Sequence, residues 1–465
     1  MKSLLQTNFN WSFYLLAAIV IRLLFVEISW LSFLAVIVSV YQFVLLFNSI
    51  GHIIPVRYLL GSFMCLQFFV GPTFAYNGLD AYQYQAYLMK IPEAEYFSYA
   101  IPAVILFILG LHINAGQLKG EFVDKDRVSE YVVKNPKIPY VFIIIGFLSS
   151  VISVFFSSEI SFVFYLLGSF KFIGLFLLIF SNLQIKLIPL VIVIGSIISS
   201  SLGNGMFHDL LTWIIFTASV FGIRYKFGFK TKLIGLTIFL ILAVTIQLLK
   251  SAYRSTIKDD KELSGVETFV NLAEEQNKKD DGFFSFKSLA ASNVRINQGF
   301  IITNIMKTVP EKVPFEDGRE MLSIFEAAVL PRVIAPNKLN AGDKRIFTKY
   351  SGIQLRAGTS MGLSSLGDAY INFGIIGGCI FMFLLGLMYS SILNIFYKKS
   401  FQYPILILFP ALVFYYPIRP DCELQTILGH LFKSCFLIFV MICIWKYNFF
   451  LPKIISKPIT PVISN

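Results

Sequence analysis

The chain has 465 residues, 56% of them hydrophobic and only 14% charged, with a mean hydropathy of +0.72 and a formal net charge of +12. A soluble domain carries about 25% charged residues, so this composition excludes a water-soluble enzyme and indicates an all-α polytopic membrane protein. Its five cysteines form no CxxC pair and share no metal-ligand spacing with the four histidines, which excludes a disulfide framework and a zinc site.

Apolar runs of about twenty residues, enough to cross ~30 Å of hydrocarbon, recur along the chain. They predict twelve transmembrane helices near 11–27, 30–48, 58–76, 98–114, 138–157, 160–182, 187–203, 207–223, 233–249, 370–396, 402–418 and 429–445. The N-terminus is short and mildly basic and lacks a small-residue cleavage site, so the first run is expected to be retained. With the N-terminus cytoplasmic, the inner segments hold seventeen Lys and Arg and the short outer loops hold two, Lys90 and Arg419. This bias fixes the expected orientation, with both termini cytoplasmic. The excess of basic residues is therefore an insertion signal, and nucleic acid is not an expected partner.

The chain divides into three regions: spans over 1–249, an extracytoplasmic loop domain over 250–366, and spans with a cytoplasmic tail over 367–465. The loop domain holds seventeen Lys and Arg, fourteen Asp and Glu, and six of the eleven arginines. Within it, 262–277 and 289–307 read as amphipathic helices apolar enough to lie on a bilayer surface. Prolines 310, 314, 331 and 336 punctuate the segment after these helices, and 341–365 reads as irregular. The outer loop 77–97 is rich in tyrosine and is expected at the interface.

Candidate residues fall in four places. Arg254 lies four residues beyond Lys250, where a span leaves the membrane, and Arg295 shares a helix face with Ser292 and Gln298. Both suit anionic groups carried on lipid, because guanidinium grips phosphate in a fork. The stretch 326–338, EAAVLPRVIAPNK, presents Glu326 and Arg332 from a proline-stiffened turn. The stretch 356–378 carries Arg356 and Asp368 among glycines and small polar residues that permit close approach of a ligand. The last outer loop and the span after it cluster Arg419, Asp421, Glu423 and His430 at a membrane boundary, where ionisable groups are costly and often functional. His208 and Asp209 could join them. Each has a bland alternative: interfacial snorkelling for Arg254, a solvated face for Arg295, a local ion pair for Glu326 and Arg332, and helix packing for Gly374, Gly377 and Gly378.

The layout resembles the Wzy-type polymerases, bacterial membrane enzymes that join lipid-linked repeat units into O-antigen or capsule chains. The resemblance rests on many spans with one late outer loop, and on two motifs: LPRVIAPNK (330–338) and SSLGDAYINFGIIGG (364–378). These are similar to the family's PR…P.K and G(E/D).Y.NFG..G stretches, with Asp368 where Glu is commoner. An R-x10-G pattern found in some members occurs at Arg254…Gly265 and Arg356…Gly367, and again at Arg224…Gly235 on the cytoplasmic side.

The resemblance implies a GT-C-like fold in the bacterial inner membrane. It implies undecaprenyl-diphosphate-linked oligosaccharides as donor and acceptor, with a flippase and a chain-length regulator as partners. Arg254, Arg295, Arg332, Arg356 and Arg419 would bind the diphosphate, and Asp368, Glu326 or His430, in that order, would act as base. No metal or other cofactor is implied, and single displacement would invert the anomeric carbon. Two alternatives stand beside this. An O-antigen ligase-like transferase usually carries a critical loop histidine, and 250–366 contains none. A flippase or transporter of the same lipids would bury more charge than Arg22, Glu27 and Lys171.

Overall fold

The computed structural model describes residues 11–24, 26–115, 121–156, 158–181, 187–259, 263–278, 285–332, 334–355 and 361–447. Its helices are α1 (Trp11–Leu24), α2 (Trp30–Ser49), α3 (Val56–Tyr76), α4 (Glu93–His112), α5 (Lys125–Lys134), α6 (Ile138–Ile152), α7 (Ser158–Gly168), α8 (Phe170–Phe180), α9 (Leu187–Asn204) and α10 (His208–Tyr225). They continue with α11 (Phe229–Asp259), α12 (Val266–Lys278), α13 (Phe286–Ile296), α14 (Gly299–Thr308), α15 (Arg319–Val329), α16 (Lys344–Ser351), α17 (Ser364–Ser400), α18 (Pro410–Val413) and α19 (Leu424–Tyr447). No named strand forms among the described residues.

Nine helical segments among the described residues are long and apolar enough to cross a membrane. They cover nine of the twelve expected spans. The other three expected spans differ in form. Helix α1 is short, α10 falls outside the nine, and 402–418 breaks into a 3-10 turn, Pro404–Leu408, followed by α18. Pro404 and Pro410 each lack the amide that a continuous helix would use, which accounts for the break. The expected boundaries at 249/250 and 366/367 fall inside α11 and α17, whose backbones run through without interruption there.

The centre of the bundle is the pair α4 and α17. A Cβ on Gly110 would lie 2.3 Å from the Phe383 carbonyl oxygen, and one on Gly386 would lie 2.2 Å from that of Phe107. The two backbones therefore touch through reciprocal glycines, as small-residue membrane interfaces allow. Above this crossing the Tyr99 hydroxyl donates to the Leu366 carbonyl at 2.7 Å.

Helix α17 is broken at Gly374 (φ 64°, ψ −159°), a conformation open essentially to glycine alone. Asn372 fastens the break to the loop segment: its Oδ1 accepts the Met321 amide at 3.0 Å, and the Glu316 amide donates to the Ile371 carbonyl at 3.1 Å. Packing was expected to account for Gly374; its dihedral angles give the reason instead.

A second attachment uses a defect in α3, where 66–70 winds as a π-helix. Such a bulge frees backbone carbonyls from the helical ladder. Around it the carbonyls of Gln67, Phe68 and Gly71 accept the Gln298 amide, the Tyr96 hydroxyl and the Asn293 side chain, at 3.1, 2.9 and 3.0 Å. The stretch 289–307, expected as one helix, is two, α13 and α14, because the chain turns at Asn297 and Gln298 to make these bonds. Helix α16 likewise lies inside the stretch expected to be irregular, started by Asp343, whose side chain accepts the Arg345 amide.

Candidate functional site

Asp368 lies in the first turns of α17 and is 5% exposed. Its Oδ2 accepts the Leu424 amide at 3.3 Å, so it caps the start of α19. The carboxyl also lines a narrow cleft, with Glu320 of α15, Asn340 and Asp343 of the 339–343 turn, and Glu423 and Gln425 at the head of α19. Phe347 and Met361 supply apolar wall.

The cleft is held by polar ties between distant segments. Glu423 Oε1 accepts the Gly342 amide at 2.8 Å and the Thr426 hydroxyl at 2.7 Å. Gln425 donates to the Leu339 carbonyl at 2.8 Å. Burial raises the Glu320 carboxyl above its ordinary range, and its Oε1 has no hydrogen-bond partner among the described residues. Four acids thus line one space, Glu320 and Asp368 among them in different settings, the kind of pairing that supports proton transfer. Among the described residues, no group of three or more His, Cys, Asp or Glu side chains is placed to hold a metal ion.

A second group of charged residues gathers around Arg419, which precedes Glu423 by four residues in the chain. Arg419 pairs with Asp421 at 3.3 Å, and its guanidinium lies 5.5 Å from the centre of the Tyr416 ring. Asp209, at the head of α10, is paired with His208 and feels the charge of Arg419. One turn away, Arg254 Nε donates to the Gly205 carbonyl at 2.8 Å. The short α9–α10 turn therefore joins Arg254 to Arg419, and 419–424 carries the band on to Glu423 and Asp368. The expected grouping of His208 and Asp209 with Arg419 is present.

None of the remaining expected residues that the structure describes lines the cleft itself. Arg332 donates to Asn340 at its rim. Glu326 is exposed on α15 and does not line the cleft. His430 is 2% exposed, with Nε2 on the Leu412 carbonyl at 2.9 Å and its ring 4.9 Å from that of Tyr416. It packs on Tyr416, the ring that Arg419 also faces, and does not line the cleft. Arg295 belongs to α13, and Arg356 lies outside the described residues. Lys338 of the LPRVIAPNK motif donates to the Ala327 and Leu330 carbonyls, closing the end of α15. Glu320 and Asp343 had no local signal; only the fold brings them to Asp368.

Among the described residues the chain is all-helical with nine apolar, membrane-length helical segments, which defines an α-helical membrane protein of polytopic type. More narrowly, it belongs to the family described as Domain of unknown function (DUF8712), which it matches over residues 54–415. No curated protein and no solved structure matches it.

Proposed function

We propose that the protein is a glycosyltransferase that polymerises undecaprenyl-diphosphate-linked oligosaccharide repeat units on the outer face of the bacterial inner membrane. In this reading twelve spans cross the bilayer, both termini are cytoplasmic, and 250–366 form the outer domain. One observation carries it: the GDAYINFG stretch behind the family resemblance contributes a carboxylate, Asp368, to a cleft that also takes in Glu423, four residues after Arg419. A base and a cation at one membrane boundary are what transfer from a lipid diphosphate requires.

The acceptor sugar's hydroxyl attacks the anomeric carbon of the donor. Asp368 takes the hydroxyl proton. The anomeric carbon–oxygen bond to the diphosphate breaks, and its electron pair leaves with the polyprenyl diphosphate. Arg254 and Arg419 stabilise the negative charge that builds there. The lipid itself supplies the activation, so no nucleotide sugar is needed outside the cell. The test is purified protein with a lipid-linked repeat unit. A ladder of chain lengths is expected; substrate consumed without a ladder, or carried unchanged across vesicles, would overturn the proposal.

A further inference from the structure

Helix α11 is pinned at both ends and bare in between. Near the end leading to α12, the stripe Ile246, Leu249, Tyr253 and Ile257 is buried at helical spacing. There the Tyr253 hydroxyl donates to the Leu202 carbonyl at 3.2 Å, beside the Arg254–Gly205 bond. At the opposite end the Phe229 ring meets Phe47 edge-on at 5.6 Å, and the Lys232 ammonium lies 5.9 Å from the same ring. Between these contacts, residues 233–238 are exposed without interruption. At 3.6 residues per turn they cover more than a full turn, so every face is accessible, including the one toward the bundle. Over this stretch no side of α11 is buried against the rest of the protein, which leaves an opening between the helix and the bundle.

The end of α11 leading to α12 carries Lys250 and, one turn on, Arg254. From there the α9–α10 turn, Arg419 and Glu423 lead to Asp368. An occupant with an anionic head and an apolar tail matches this arrangement of charge. Tail length separates the candidates. Ile238 is about 24 Å along the helix from Arg254 at 1.5 Å per residue. An acyl chain of one leaflet covers only half of the ~30 Å hydrocarbon layer, about 15 Å. A longer polyisoprenoid chain reaches.

We infer that the opening beneath α11 holds the isoprenoid chain of the lipid-linked sugar, its diphosphate at Lys250 and Arg254. This rests on the glycosyl-transfer reading and adds to it the path by which the lipid lies against the protein.

The test places a benzophenone amino acid at Ile238 of the full chain, in phosphatidylethanolamine–phosphatidylglycerol nanodiscs, with radiolabelled polyprenyl-diphosphate oligosaccharide. The reference position is Ile192 on α9, which is 51% exposed, against 61% for Ile238. Labelling at Ile238 should exceed that at Ile192 about tenfold and fall with excess unlabelled polyprenyl-diphosphate sugar but not with added phosphatidylglycerol. Equal labelling at the two positions, or crosslinks at Ile238 only to phospholipid or to a second copy of the chain, would overturn the inference. Ladder formation by the same protein separates the two ideas. A ladder without selective labelling removes the lipid path alone, and selective labelling without a ladder removes polymerisation alone.

Discussion

The Asp368 carboxylate accepts the Leu424 backbone amide at 3.3 Å, so the acid in one long apolar helix fixes where another begins. Asp368→Asn keeps that acceptor while removing the base. Chain extension should fall about 10²–10⁴-fold with thermal stability unchanged, whereas Asp368→Ala should lose stability as well. A normal ladder from Asp368→Asn would take the base role away from this residue.

Arg419 sits on the Tyr416 ring and beside Asp421, a setting in which shape matters as much as charge. Arg419→Lys is therefore expected to behave like Arg419→Ala, with chain extension down at least about tenfold at unchanged protein level. Arg254→Ala should show the same loss, read as a raised KM for the lipid-linked donor. Full rescue by lysine at 419 would reduce its role to that of a point charge.

Three glycines separate three causes. Gly374→Ala places a Cβ on a backbone at φ 64°, ψ −159°, and should cost about 1–3 kcal/mol. Gly386→Val drives a larger side chain into the Phe107 carbonyl and should prevent assembly of the α4–α17 pair. Gly235→Ala meets nothing within 4 Å on an open helix face and should stabilise by up to about 1 kcal/mol. Thermal unfolding in detergent ranks the three, and the reverse order would refute the assignment of causes.

Glu316 gives the outer segment a dependence on pH. Its Oε1 accepts Lys349 Nζ and the Tyr350 hydroxyl, both at 2.8 Å, and the Lys349 bond holds the carboxyl below its usual range. A carboxyl whose folded pKa is depressed stabilises fully above its unfolded value and loses that contribution as pH falls through the lowered one. Because Lys349 is half exposed, the effect should stay below about 1 kcal/mol. Amide exchange in α16, corrected for intrinsic rates, should accelerate across that acidic window. Glu316→Gln should show no such step.

Arg57 is 1% exposed and pairs with Glu121, 6% exposed, at 2.7 Å. It also donates to Ser390 at 2.7 Å and to Asn394 at 3.2 Å. Removing one partner strands the other charge, so Glu121→Ala should destabilise by about 3–5 kcal/mol in the same unfolding measurement. A loss under 1 kcal/mol would mean that water reaches the guanidinium.

The long apolar runs were legible because crossing a bilayer is a property of one segment's length and composition. Segment 402–418 misled for the same reason: hydropathy sums side chains and does not see that Pro404 and Pro410 interrupt the backbone. Asp368 was found through its motif, and the Arg419 group through charge at a membrane edge. Glu320 and Asp343 could not be found, since their place beside Asp368 depends on three segments meeting. Arg57 was one of the seventeen Lys and Arg of the inner segments, and a tally of charges carries no information on burial.

That buried arginine constrains the order of assembly. Glu121 follows Arg57 in the chain by 64 residues, and Ser390 and Asn394 by 333 and 337. When α3 first enters the membrane, Arg57 has none of these partners and must keep its charge hydrated. Its final burial waits for the far end of α17 to be synthesised. The early helices must therefore stay separable through most of translation, and closure of the bundle around Arg57 is a late event that registers the arrival of the C-terminal third.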